Sequence, residues 1–531
     1  MIDKKVFSYH TFILPFIWKN SANKNMDYDS FGKIFDNNPF WLKAGPKDEA
    51  SFDSENDVGL FYNEYQYFYP QVRSAIYGYN GNVVKNYVFA PEAVHEKAHY
   101  YITKSGRTYD LLLNQIRFKI YSTGVALFIL ECENYGKDKD GNNQTSFADV
   151  KNINDFGRRI NLPFIPEKPD DYSACADCLE LFIPELNSSF STDFYDFICR
   201  LSKESENRKK ETLSLNYLCR YIKKILSYGS EYDFTSDKEN KEKIFIRPAL
   251  DDRMFVACIY VNKEETKKLL EINEGEYSYL SDAEKSKSLY EFVFLDPSEN
   301  CSCQSQNMRR GLLENHIYDR WNDWGTVYGI AAQSLVMISD NPPSHIVNAF
   351  LTEYVQIVCL CIAQKASLIV FQKETADLST QIHGNGKKIK IRTTTSLMDL
   401  QERFSAFKSQ LCFDEVTVQE QGIEIYDLIK KFFLIDRELE NVKDQIDGLH
   451  DATDTYLDFN FNKIGYIFTI IGTIYGIMQV LPDAMYYFTG THWGLTGEAE
   501  WLSHSFWFAS SILLGVVSFA VIAFVYRRKR K

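Results

Sequence analysis

Two charge-free apolar runs near the C-terminal end constrain this chain more than any other feature. Residues 464–481 and 505–526 contain no Asp, Glu, Lys or Arg. At about 1.5 Å of rise per residue, each run can cross about 30 Å of hydrocarbon, so two transmembrane helices are predicted, over 458–481 and 505–526. The connection 482–504 holds Asp483, Glu498 and Glu500 and no Lys or Arg, whereas 527–531 is the basic tail Arg-Arg-Lys-Arg-Lys. Basic flanks stay on the cytoplasmic side, so both termini are expected in the cytoplasm. Tyr486, Tyr487, Trp493, Trp501 and Trp507 suit an aromatic belt at the outer interface.

The first of these helices carries Asn462, Gly465, Thr469, Gly472, Thr473, Gly476 and Gln479 at spacings that place them largely on one face. A small or polar face inside a membrane either packs helices closely or lines a pore. Asn462, Thr469, Thr473, Gly476 and Gln479 are the pore-lining candidates.

No proline occurs between Pro343 and Pro482. From about Ile423 the apolar residues follow a heptad, with Ile425, Phe432, Leu439 and Ile446 in one series and Leu428, Ile435, Val442, Leu449 and Tyr456 in the other. That period predicts a coiled-coil-like stalk within a helical region 344–457, running on into the first membrane helix. Two membrane helices cannot enclose a water-filled path, so a conducting protein of this design has to be a homo-oligomer, with cyclic symmetry as the usual outcome.

Upstream, residues 1–229 and 230–343 read as two parts of a soluble α/β (α+β) unit. The N-terminal stretch from Val6 lacks a clean hydrophobic core and cleavage site, and reads as a first strand. Residues 114–133 read as a β-hairpin around Ser122-Thr123-Gly124. An amphipathic helix is expected over 207–227, a polar linker over 230–243, strands over 244–261 and 289–295, and a basic loop over 381–392. The chain of 531 residues has a net charge of -13, which argues against binding long nucleic acid through its overall field. Eleven cysteines in this length do not make a disulfide framework.

Arg158 and Arg159 follow Asn154-Asp155-Phe156-Gly157, read as a turn from which both guanidiniums leave toward one point, as phosphate recognition requires. Arg309 and Arg310 form a second such pair, and the four are the ligand-binding candidates; the bland alternative for each pair is a solvated surface. His95-Glu96-Lys97-Ala98-His99 fits the pattern in which two His on one helix turn bind zinc and Glu acts as base, but no third ligand follows at the usual spacing. Cys175-x-x-Cys178 lacks a second pair at zinc-ribbon distance. Cys301/Cys303 and Cys359/Cys361 are read as ordinary thiols, Gly384–Lys388 lacks the spacing of a phosphate-binding loop, and Asp138–Gly141 reads as a turn.

A soluble α/β unit, a stalk, two C-terminal membrane helices and a basic tail resemble the CorA family of divalent cation channels over roughly the last 190 residues. In that family the first membrane helix ends in Gly-Met-Asn after Tyr; here the stretch is Tyr475-Gly476-Ile477-Met478-Gln479, with Tyr475 and Gly476 matching and Gln479 in place of Asn. The stretches 415–424, 120–125 and 153–159 are similar to those of a larger branch found with type III CRISPR systems. The resemblance implies an antiviral membrane effector without enzymatic activity, in a bacterial inner membrane, gated by a nucleotide second messenger of the adenosylmethionine–AMP kind. It also implies a pentamer, no resident cofactor, and a divalent cation such as Mg2+ as conducted or regulatory ion. Three other readings stand beside it: a constitutive magnesium transporter, a membrane-anchored zinc hydrolase built on His95, Glu96 and His99, and a membrane-tethered scaffold whose helices never conduct.

Overall fold

The computed structural model describes residues 5–20, 26–44, 58–78, 83–161, 174–194, 219–235, 242–273, 276–296, 301–384 and 391–489. The second predicted membrane helix, its preceding loop and the basic tail lie outside the described residues. Within them the chain divides into two compact units, Met1–Val370 with Ser405–Leu439, and Phe371–Phe404 with Glu440–Lys531.

The first unit is built on a fourteen-stranded mixed sheet. Its strands are β1 (Ser8–Asn20), β2 (Trp41–Lys43), β3 (Val84–Phe89), β4 (Ala98–Lys104), β5 (Arg107–Tyr121), β6 (Ala126–Asn134) and β7 (Cys178–Ile183). They continue with β8 (Ser188–Asp193), β9 (Tyr232–Asp233), β10 (Glu242–Pro248), β11 (Phe255–Val261), β12 (Ile317–Tyr318), β13 (Thr326–Ala331) and β14 (Ser334–Ser339). The spatial order is β12-β13-β14-β11-β1-β6-β5-β4-β7-β8, with β10 also on β1 and β3 also on β5. β1 pairs with β6 from Ser8 to Phe16 and divides its other edge between β11 and β10, so the expected first strand is the centre of the sheet.

The expected hairpin is β5 and β6. Gly124 closes it at φ 86, where a side chain would be strained, and the Tyr121 amide donates to the Val125 carbonyl at 2.8 Å. Ile116, Phe118 and Ile120 fill the core, yet the opposite face is also covered, since Lys119 and Tyr121 are buried. Strands β10 and β11 account for 244–261. Of the 207–227 helix, Arg220–Leu226 is helical and 207–218 lies outside the described residues. The 230–243 linker contains the short strand β9 and the start of β10.

Seven helices frame the candidate residues: α1 (Phe147–Arg158), α2 (Ala283–Phe294), α3 (Gln306–His316), α4 (Val355–Gly384), α5 (Ile391–Leu411), α6 (Glu420–Phe433) and α7 (Ile435–Thr489). Two of them correct the sequence reading. Residues 289–295 are not a strand but the second half of α2 and its C-cap: Asp282 caps the start by accepting from the Glu284 and Lys285 amides, and the buried residues Ser286, Leu289, Tyr290, Phe292 and Val293 follow a helical spacing. The aromatic and β-branched run imitates a strand because this helix is buried on more than one side. Residues 154–157 are not a turn but the last part of α1, which a Ser146–Asp149 capping box starts.

The run Ser344–Ile382, which ends in α4, is long and apolar enough to cross a membrane, but 72% of its most apolar window is buried inside the protein. Polar ties fix it to the sheet: Lys119 Nζ donates to Gln356 Oε1 at 2.8 Å, and the Thr123 and Ser367 hydroxyls meet at 2.6 Å. The expected loop 381–392 starts later than predicted, because α4 continues to Gly384; 385–390 lies outside the described residues.

The second unit is helical. Phe371, Thr375 and Leu378 on α4, Thr393, Leu397, Leu400 and Phe404 on α5, and Val442, Ile446, Leu449 and Thr453 on α7 are all buried at three- and four-residue spacings. Such seams are those of helices packed along their lengths. The expected stalk is therefore helical, but its seam is interrupted: Leu434 lies between α6 and α7 at φ 57, in the left-handed region that ends a helix.

Candidate functional site

The candidate site is the C-terminal half of α7. The helix runs unbroken through 464–481, and its side chains are described as far as Gly476. Beyond Thr453 the single buried seam gives way to exposure: Tyr466, Ile467, Phe468, Ile470 and Ile474 are all exposed large hydrophobics, Tyr466 at 71%. At about 100° per residue, Ile467, Ile470, Ile471 and Ile474 fall on one side, and Gly465, Thr469, Gly472, Thr473 and Gly476 on the other.

The second side has a definite chemistry. Thr469 Oγ1 donates to the Gly465 carbonyl at 2.9 Å, and Thr473 Oγ1 donates to the Thr469 carbonyl at 2.7 Å. Each hydroxyl has spent its proton on its own helix, and both threonines are exposed. A Cβ added at Gly465, Gly472 or Gly476 would meet nothing within 4 Å, so no described residue of this chain fills that face. Asn462 is exposed on the same side, and Gln479 lies on α7 beyond the described side chains.

The arginine candidates are placed differently from expectation. Arg158 is buried at the end of α1, donating to Gln333 Oε1 at 2.6 Å and to the Leu295 carbonyl at 2.8 Å. Burial pushes its pKa down to about 10, and Asp155, 3.7 Å away, opposes that shift. Arg159 pairs with Asp155 at 2.9 Å. Arg309 is buried on α3 and donates to the Cys303 carbonyl at 2.7 Å, whereas Arg310 is half-buried and pairs with Glu314 at 3.0 Å. The pairs do not converge. Arg158 binds the carbonyl just past the end of α2 and Arg309 reaches the Ala283 carbonyl at its start, ends that lie about 18 Å apart along a helix of this length.

The zinc pattern also loses its geometry. His95 follows the four-residue helix Pro91–Val94, Glu96 has φ 58, and His99 sits on β4 with Nδ1 2.7 Å from Asp110 Oδ1. The two imidazoles do not share a helical face. Among the described residues no group of three or more His, Cys, Asp or Glu is placed to hold a metal ion. Asp138–Gly141 is the expected turn: Asp138 Oδ1 accepts from the Asp140 and Asn142 amides at 3.0 and 2.8 Å.

Two groups escape a reading of the sequence. Arg107 ties Asp149, Asp138 and the Asn143 carbonyl together, at 2.6, 3.3 and 2.6 Å. Lys119 is wholly buried and its pKa is pushed down to about 8, chiefly by burial. Neither sits in a motif; a lysine in an alternating strand ordinarily marks the solvent face.

No family model, no curated protein and no solved structure matches this chain.

Proposed function

We propose that this chain is a homo-oligomeric, CorA-like membrane cation channel, in which the C-terminal half of α7 crosses the bilayer and the sheet unit receives a nucleotide second messenger of the adenosylmethionine–AMP kind. The observation that carries the membrane reading is the uncharged stretch of α7 whose isoleucines stand exposed along one side. A helix satisfies its own backbone in lipid, and 18 residues span about 27 Å. Isoleucines then face acyl chains, and the Gly and Thr face turns toward copies of itself around an axis. Thr469 and Thr473 oxygens, with Asn462, Gly476 and Gln479, line the path. Both termini lie on the cytoplasmic side of a bacterial inner membrane, and the pentamer and the nucleotide come from the resemblance alone.

Cation flux from proteoliposomes, measured with and without the adenosylmethionine–AMP conjugate, tests this. Flux that requires the nucleotide, and that Gly476→Leu and Thr473→Leu block, is the expected result. Flux without nucleotide that millimolar magnesium suppresses would make it a constitutive transporter, and no flux in either condition would overturn the channel reading.

A further inference from the structure

The residues Ile425, Leu428, Phe432, Ile435, Leu439, Val442, Ile446 and Leu449 alternate spacings of three and four without interruption. They describe one continuous seam, such as a single unbroken helix presents to its neighbours. The structure breaks that helix in the middle of the pattern, at Leu434. Breaks of this kind ordinarily fall on Gly or Asn, because a Cβ is unfavourable at positive φ. Here the residue is a leucine, one of the best helix formers. Its presence opposes the bend and favours the continuous helix.

Other groups favour the bend. Lys430 Nζ and Asp436 Oδ1 are 3.0 Å apart across the break. In a continuous helix, residues six apart lie about 9 Å along the axis and on different faces, so this pair is available only to the bent form. Lys430 and Lys431 stand in the last turn of α6, and Asp436 and Glu438 in the first turn of α7, the signs that two separate helix ends prefer. Glu438 also pairs with Lys365 at 3.3 Å. α6 itself is fastened to the sheet. Glu424 accepts from Tyr318 and Arg320, the His316 ring stacks on Phe432 at 3.9 Å, and Gly422 lets the Tyr67 hydroxyl approach where a Cβ would come within 2.2 Å of it.

We propose that the α6–α7 junction is a two-state hinge. With Leu434 left-handed, the helices are separate and the Lys430–Asp436 pair is closed; with Leu434 right-handed, the pair opens and α6 and α7 form one helix along the continuous seam. α6 belongs to the sheet unit and α7 carries the charge-free segment, so this residue converts an event in one into a movement of the other. That regulatory consequence rests on the channel reading above, whereas the hinge does not.

Pulsed electron paramagnetic resonance on the full chain in lipid nanodiscs tests the hinge. Labels at the exposed positions Asp427 and Asp444 are introduced as a non-natural amino acid, to spare the native thiols, and labelled protein is diluted with unlabelled. A continuous helix separates these positions by about 26 Å along its axis, and the bent form brings them closer. Leu434→Gly removes the Cβ from the left-handed state and weakens the continuous helix, moving the population toward the short distance by about tenfold or more. Leu434→Ile, β-branched and worse at positive φ, moves it toward the long distance, as does Asp436→Asn. Asp436 is exposed, so that variant remains informative if the isoleucine variant fails to fold. Opposite shifts for Gly against Ile or Asn establish the hinge, and one distribution common to wild type and all three variants overturns it. The distances need no conduction, so absent flux with opposite shifts would remove the channel reading and leave the hinge standing.

Discussion

The interior of the sheet unit and the far half of α7 invert each other. In the sheet unit, charged side chains lie inside and are paired: Lys151 and Glu291 meet at 2.6 Å with side chains only 8% and 3% exposed, and Arg158 donates to Gln333 and the Leu295 carbonyl. In α7, apolar groups are outside and covered by none of the described residues. The first arrangement is what a fold stabilised in water must do with a polar group it buries. The second is stable only where the surroundings are themselves apolar. The contrast teaches that the two regions meet opposite demands, polar groups held inside in one and apolar groups left outside in the other.

The largest effect should come from emptying the sheet interior of a matched charge. Arg158→Ala leaves the Leu295 carbonyl and Gln333 without their donor and should cost about 4 kcal/mol of unfolding free energy. Denaturant titration of the full chain in detergent checks it, and a loss below about 1 kcal/mol would mean that Arg158 does not tie α1 to α2. In the opposite region, Ile470→Lys places a charge on the exposed apolar side. If that side meets lipid, insertion should lose about 3 kcal/mol, read as a shift from the membrane to the soluble fraction. Unchanged partitioning would break the comparison, since a water-exposed helix tolerates such a change.

What the sequence discloses divides along the same line. The hairpin around Gly124, the central β1 and the seam residues of α7 are legible because each follows from a local period or from a turn only glycine makes cheaply. The α2 segment is misread because burial on several sides removes the polar face that betrays a helix. Arg158 and Arg159 are misread because the capping box that extends α1 begins eight residues before the supposed turn. The break at Leu434 is illegible because leucine carries no signal for a left-handed residue. On α7 the uncharged stretch, a feature of composition, is legible outright, while the back-bonded threonine hydroxyls require the helix to be in place.

A smaller effect concerns acid. His10 on β1 is buried, with Nδ1 2.7 Å from Asn154 Oδ1 and Nε2 2.9 Å from Ser8 Oγ, which itself accepts from Asn134 at 3.0 Å. With Nδ1 donating to the Asn154 oxygen, Nε2 is left to accept from the Ser8 hydroxyl, and the ring is neutral. Burial pushes its pKa down to about 4. Between that value and the ordinary 6.5 the unfolded chain binds a proton that the folded chain refuses, so stability falls as pH falls. From pH 7 to pH 5 the loss should be about 2 kcal/mol. His10→Gln should flatten that part of the pH profile of melting temperature, and an unchanged slope would assign the acid sensitivity elsewhere. No corresponding slope is expected for insertion of the uncharged part of α7, which has nothing to titrate there.

The smallest effect separates two neighbours. Arg309 and Arg310 are adjacent in sequence, but α3 turns the first inward and the second outward. Arg310 keeps an exposed i,i+4 pair with Glu314, of a kind worth a few tenths of a kcal/mol and weakened by salt. Arg310→Ala should therefore change unfolding free energy by less than about 0.5 kcal/mol. Of the four arginines singled out in the sequence, it is the most exposed, and the one whose removal tests ligand binding with least disturbance of the interior. If Arg310→Ala abolishes nucleotide-dependent flux at unchanged stability, the ligand docks on the outer face of α3. If flux still responds, Arg310 is a solvated surface charge, and the ligand is held by residues that no arginine pair marks.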